Sequence, residues 1–594
     1  MSKYENDSLR FRILGAASAT ALLALASAPW GEAVAQTLPS DPTPSCTVSA
    51  ATFASWFQSG TPSLNGVVNP ANSVAFSAAP NCSFYQWSKQ MFLWLTSPAP
   101  PVYGSGGFIF DSPAFYDVTP PDASGNRTLL AHTPGFIHPF ALRAAKLGPT
   151  GLSIIVAKGG QIFEVAPPKA AAAAPQIVDT AGKERTLAHV EFGAQGERVL
   201  RDTAGAVIEP RILPPPPLTI GRPPIPPLQV QKIIVDNIPI FIGPQGNVVP
   251  VEQGEADGSV VESQNGSLVY YALMVNDVYA YFLTGWRDNQ IESGNANPTF
   301  PTSMTDLNAI TTFALAHGKT FPDPDALAVE VKSAWVEAST LPDPSKYITI
   351  TGTIPTYNQS STTAWPPTGQ KTVQLALVGM HVVGSTNQHP EMIWATFEHV
   401  GNTPLAAYSY VNKNGAVTTV PQSTAGTWLF SATGSSGPFN QAHMSEVSPS
   451  VGIKAEGSFT ISPSNTLRMK PFGAATNVSP NPLDPSSAAS NSEIISINNN
   501  IAAMMPSGDI RNNYIMSGAT WAIPGAPGAS GTGVQVGTSQ LTNSTLETYD
   551  QGPSTLGGFN CLDCHNSINQ NGSTNPNTFV VGVSHIFFEI KKRF

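Results

Sequence analysis

Apolar positions along the chain recur with two different periods, and the longest runs favour the shorter one. Ser267–Val275, Tyr347–Ile354, Thr372–Val383, Glu391–Val400, Tyr408–Val411 and Thr427–Ser431 are rich in β-branched and aromatic residues and read as strands. Between Val102 and Val207, turn signals at Gly104-Ser-Gly-Gly107, Thr133-Pro-Gly135, Lys158-Gly-Gly160, Ala181-Gly182 and Ala204-Gly205 separate short apolar segments, the punctuation of β-hairpins. Helical spacing is rarer. Cys46 to Leu95 reads as two helices, the second with Phe84, Trp87, Met91, Trp94 and Leu95 on one stripe that core packing explains. Asn276-Asp277 caps a turn of helix carrying Val278, Tyr281 and Phe282. Thr305-Asp306 opens a helix with Leu307, Ile310, Phe313, Ala314 and His317 on a face. Asp323-Pro324 opens another with Leu327, Val331, Ala334, Trp335 and Ala338. The expected fold is therefore α+β and predominantly β, antiparallel sheets of sandwich or barrel-like form with a few peripheral helices.

The histidines gather in the strand-rich part. If Gly384-Ser-Thr-Asn-Gln-His-Pro390 turns a hairpin, His389, Glu391, Ile393, Ala395, Phe397 and His399 share one face, and His381 lies nearly opposite Ile393. Eight residues of strand separate positions by about 27 Å, so His381, His389 and His399 need not converge on a metal. His132 and His138 flank a turn and read as polar residues that stabilise it. His317, beside Gly318, sits at a helix end that favours it.

Composition sharpens this picture. The 594 residues carry a net charge of -10 with only 11% charged side chains and no basic stripe, which excludes phosphate-backbone binding and hence nucleic acid. Lys591-Lys592-Arg593 reads as a solvated C-terminus. At the other end Lys3, Arg10 and Arg12 precede an apolar stretch, Ile13 to Ala28, and a small-x-small sequence Ala33-Val34-Ala35. That is a secretory signal, too short for a membrane span, and predicts a mature chain from Gln36. Two segments are compositionally biased, Ala166 to Pro175 and Pro210 to Pro227; the second is a stiff linker or excursion. The expected organisation is a signal peptide over 1–35, a helical cap over 36–98, a β-rich region over 99–209, a Pro-rich linker over 210–230, a main domain over 231–550 with helices near 305–339, and a terminal segment over 551–594.

The four cysteines divide two and two. Cys46 and Cys82 are the pair an exported protein would bridge, and closing their loop of about 36 residues stabilises by roughly 3–4 kcal/mol on a chain-entropy account. Cys561-Leu562-Asp563-Cys564-His565 offers two thiols and an adjacent imidazole. A zinc site would need two more soft ligands, and a redox dithiol would sit between a strand and a helix, where Gln551 to Asn560 is an irregular Gly-rich approach. The five residues resemble the haem-attachment motif of c-type cytochromes. The resemblance implies one haem c, thioethers at Cys561 and Cys564, and His565 as the proximal iron ligand.

Only 29 residues follow His565, too few to enclose a porphyrin, so its walls must come largely from upstream. His585, in the apolar run Phe579 to Ile590, is the candidate second axial or distal group, with Met504, Met505 and Met516 behind it. In organisation the chain resembles exported bacterial c-haem enzymes that oxygenate or isomerise unsaturated fatty acids. This implies a periplasmic or secreted mono-haem oxidoreductase using dioxygen or peroxide on a small hydrophobic substrate. The alternative is a c-type electron-transfer protein whose β domain docks a redox partner or forms an assembly.

Overall fold

The computed structural model describes residues 38–593 except 79, 121–125, 139–153, 157–161, 167–174, 193–197, 213–228, 236–237, 250–258, 296–297, 425, 449, 473–486, 523–534, 539–540, 550, 552–560, 566–579 and 585. The signal-peptide reading, most of both Pro-rich segments, the approach to Cys561 and His585 lie outside the described residues.

A ten-stranded sheet organises the chain. Its strands are β1 (Phe115–Val118), β2 (Leu129–Ala131), β3 (Phe136–Ile137), β4 (Tyr270–Asn276), β5 (Val329–Glu337), β6 (Thr349–Tyr357), β7 (Pro367–Thr386), β8 (His389–His399), β9 (Tyr514–Ala522) and β10 (Gln535–Gly537). The path runs β2-β1-β4-β5-β7-β8-β9-β10, antiparallel throughout, and only β3 against β6 is parallel. The twenty residues of β7 make this possible. One edge binds β5, and the other is divided, β6 along residues 367–376 and β8 along 379–386.

Helices cover one face. Helix α1 (Ala50–Trp56) and α2 (Cys82–Leu95) pack there with the later α5 (Ser487–Met504). Phe84 stacks on Trp521 and Phe92 on Phe397, with centroids 3.8 and 4.2 Å apart. The expected single stripe understates α2: Tyr85, Ser88, Lys89 and Leu93 are buried as well, because the sheet, α5 and surrounding coil enclose it. The Cys46–Cys82 disulfide is present, with Cα atoms 5.3 Å apart, and Ser496 of α5 bonds both backbone groups of Cys46. The second face is covered by α3 (Asp277–Arg287), α4 (Met304–Ala316) and the C-terminal segment. Asn276 caps α3 as expected, accepting from Tyr279 N–H, and α4 begins one residue before the expected start, with a Ser303/Asp306 capping box. His317 caps its end and its Nδ1 lies 2.8 Å from the Phe313 carbonyl oxygen.

Three expectations need correction. The helix expected from Asp323 is a short 3-10 turn, Pro324–Ala326, followed by strand β5. Val329, Val331 and Trp335 face the α2 side and Ala334 and Val336 the other, so a strand buried on both faces over 333–336 satisfied a helical template by chance. Thr427–Ser431 is not a strand; Leu429 and Phe430 donate backbone bonds to Gly401 and Asn402 from irregular chain. The 384–390 hairpin turns on Asn387 and Gln388 alone, and a bulge at left-handed Met392 moves His381 opposite Thr396 instead of Ile393.

Two smaller sheets lie in the Gly-punctuated region. One pairs 176–178, 184–192, 198–202 and 207–208 in sequence, with Gly182 and Gly205 at positive φ in its turns. The other joins 229–235, 238–242 and 248–249 to 154–156 and 162–166, and Ile240, Ile242 and Val248 share a core with Ile177, Leu187 and Leu200. Among the described residues no helix is long and apolar enough to cross a membrane.

His132 is clamped between Asp111, 2.9 Å from Nε2, and Asp117, 3.1 Å from Nδ1, while Asp111 also accepts from Gly135 N–H. This bears out the turn-stabilising reading. Burial opposes its charge, but the hydrogen bonds to Asp111 and Asp117 outweigh it and push the imidazole up from 6.5 to about 9. A raised base contributes stability that is complete below pH 6.5 and lost as pH climbs through 9, on the order of 3 kcal/mol. Buried Lys89, pushed down to about 7, has the opposite slope over the same window, so single curves mislead. The stability gap between wild type and His132→Gln should narrow by about 3 kcal/mol from pH 6 to pH 10 in urea titrations. A constant gap would show that the clamp holds no imidazolium.

Candidate haem-attachment site

Cys561–Cys564 forms one helical turn, α6, closed by a hydrogen bond of 2.7 Å from His565 N–H to the Cys561 carbonyl. Leu562 is buried against the second face of the sheet, in one cluster with Trp394, Met392, Ala522, Val581 and Val583. Trp394 reaches that face because alternation along β8 sends Ile393, Ala395 and Phe397 to the other. The half-buried Cys561 has its sulfur 3.7 Å from the Leu541 carbonyl oxygen.

The imidazole of His565 lies against Trp394, centroids 4.3 Å apart, and its Nδ1 is 2.9 Å from the Val583 carbonyl oxygen. A carbonyl only accepts, so Nδ1 carries the proton, and in the neutral ring the lone pair is then on Nε2. This is the tautomer a metal-binding histidine uses, with the far nitrogen anchored to backbone.

The anchor is itself held. Val580–Val583 forms a 3-10 turn, and the next residue, Ser584, donates to Glu330 Oε2 on β5 at 2.6 Å and meets the Tyr279 hydroxyl of α3 at 2.8 Å. Beyond it Phe587 packs among Tyr279, Phe282, Phe300 and Trp286. Arg127 pairs with Glu589 at 2.6 Å, at the far end of β2's approach. Arg593 donates to the hydroxyls of Tyr116 and Tyr281, 2.6 Å each, and lies over both rings. The expectation of a solvated C-terminus therefore fails for Arg593: two aromatic hydroxyls and their ring faces outcompete water for it. Lys592 stays exposed, paired with Asp288.

Upstream of the motif, a polar seam fixes residues 541–549 on the same face. His381 Nε2 lies 2.6 Å from Glu547, Asn543 donates to Thr396 at 2.8 Å, and Glu398 takes the amide and hydroxyl of Ser544 together with Arg468. Leu541, beside Cys561, begins this seam. No family model, curated protein or solved structure matches the chain.

The donor set fits a c-type haem in the groups the structure describes: a thiol and an imidazole on one turn, the imidazole in ligand tautomer, and an apolar wall beside it. Cys564 ends that turn, and His585 lies outside the described residues. Met505 and Met516 belong to the core on the α2 face, and Met504 packs against the same core, so β8 and β9 separate them from His565. The remaining histidines have separate surroundings. His389 bonds Glu391 at 2.7 Å among Phe76 and Phe84, and His399 stacks on Tyr347 and is pushed down to about 3, burial being the main cause. Among the described residues no three His, Cys, Asp or Glu side chains are grouped as metal ligands.

Sequence reasoning missed Trp394, Val583, Ser584 and Glu330. Alternation along β8 could have flagged Trp394; nothing local marks a backbone carbonyl as an imidazole anchor. Ser584→Ala removes the hydroxyl that ties the 580–584 turn to Glu330 and Tyr279, at a cost of about 1–3 kcal/mol. Hydrogen-exchange mass spectrometry should show faster exchange over 580–590 with β4 and β5 unchanged. Unaltered exchange there would mean that packing alone holds the turn.

Proposed function

We propose that this chain is an exported haem c oxidoreductase, with haem joined by thioethers at Cys561 and Cys564 and its iron held by His565. The observation that supports it best is the Nδ1 contact of His565 with the Val583 carbonyl, on a helical turn lodged against the main sheet. When bound, haem supplies one-electron and oxygen chemistry that no side chain offers. The chain's own contribution is placement. Val583 orients the imidazole, Ser584 and Glu330 hold Val583, and Trp394 and Leu562 keep water from that side of the ring. A haem held by this turn would lie against the second face of a large sheet, instead of inside a small separate domain. We favour dioxygen or peroxide chemistry on a hydrophobic compound such as an unsaturated fatty acid. The Cys46–Cys82 bridge agrees with a periplasmic or secreted setting.

Produced in a host that matures c-type cytochromes, the protein should show a Soret band and a mass gain of one macrocycle that acid–acetone does not extract. Cys561→Ala together with Cys564→Ala should lose both. The ferric iron should bind cyanide and, after reduction with dithionite, carbon monoxide; strictly low-spin iron that ignores both would favour the electron-transfer reading, and absence of the mass gain would end the haem reading.

A further inference from the structure

On the α2 face of the sheet, away from the Cys561 turn, α2, α5 and the start of β9 enclose a cavity of about 200 Å³. Phe92, Ile501, Met505 and Tyr514 give it apolar and aromatic walls, and exposed Ala502 stands at its rim. Lys89 also lines it. That residue is only 6% exposed, and among the described residues its ammonium has no hydrogen-bond or ion-pair partner; it lies 5.7 Å from the centre of the Phe397 ring.

The other buried polar groups of the lining are already engaged, and Asn512 is exposed to solvent. Arg511 gives Nε and Nη2 to Asp509, and Nη1 to the Gly66 and Leu93 carbonyls and Ser97. Asn498 bonds the backbone of Met516 in both directions, Asn499 donates to Pro39, and the Tyr514 hydroxyl donates to the Leu377 carbonyl. A buried, unpaired ammonium is costly, and an anion entering the cavity would remove that cost. One cation among apolar walls suits a single carboxylate; a phosphate would require several converging donors. Apolar cavities of roughly 150 Å³ take up benzene, so this one has space for a ring or short chain of that size.

We propose that this cavity binds a small monocarboxylate, its apolar body between α2 and α5 and its carboxylate paired with Lys89. Burial, which lowers the Lys89 pKa to about 7, fits a site that regains full charge on pairing. The site is on the other face from the haem turn, so either reading can fail without the other.

The test is calorimetric titration of the mature, cofactor-loaded protein with sodium benzoate and, separately, with uncharged benzamide. Benzoate should bind saturably and about tenfold more tightly than benzamide. Lys89→Met should abolish that preference while leaving the circular dichroism intact. Ala502→Trp, at the rim, should block binding with Lys89 still in place, which covers the case of a Lys89 variant that fails to fold. Equal affinity for the two probes, no saturable binding of benzoate, or a preference that survives Lys89→Met would overturn the proposal.

Discussion

The second face of the ten-stranded sheet presents Val383, Trp394 and Ala522 to whatever covers it, and over them lies the chain's own last segment. Each large apolar side chain removed from water there contributes about 1.5–3 kcal/mol, which holds the 580–584 turn and residues 586–590 on the sheet. Direction comes from polar pins: Ser584 on Glu330 and Tyr279, Arg127 on Glu589, Arg593 on two tyrosines. Apolar burial supplies adhesion and these pins supply register. Without the register, the Val583 carbonyl would not meet His565.

The same logic explains why the sheet is built as it is. A twenty-residue strand that shares one edge between β6 and β8 lets residues from 349 to 399 form one surface. Its two faces then take different covers. Helices tied by the Cys46–Cys82 bridge lie on one and enclose the Lys89 cavity; α3, α4 and the C-terminal segment lie on the other, where a short motif meets a backbone carbonyl as its partner.

Much of the fold was legible in the residues. β-branched runs, the Asn276 cap and the Gly182 and Gly205 turns each act locally, so period and turn chemistry found them. The failures share a cause in long-range packing. Residues 333–336 are buried on both faces and so lose the alternation that 329–332 keep; the bulge at Met392 shifts a register that turn length alone cannot give; Arg593 finds Tyr116 far away in sequence. The site divides likewise. Cys561, Cys564 and His565 form a local motif, whereas the Trp394 wall comes from the sheet and the Val583 anchor from the C-terminal turn packed on it.

In the proposed haem protein, the main sheet's second face and the C-terminal turn together wall the cofactor. Amide exchange in haem-loaded protein, set against that in the Cys561→Ala, Cys564→Ala form, reads this out. The loaded protein should gain protection in β8 peptides containing Trp394 and in 580–584, as well as around 561–565. Protection confined to residues 552–579, with β8 and 580–584 unchanged, would contradict it.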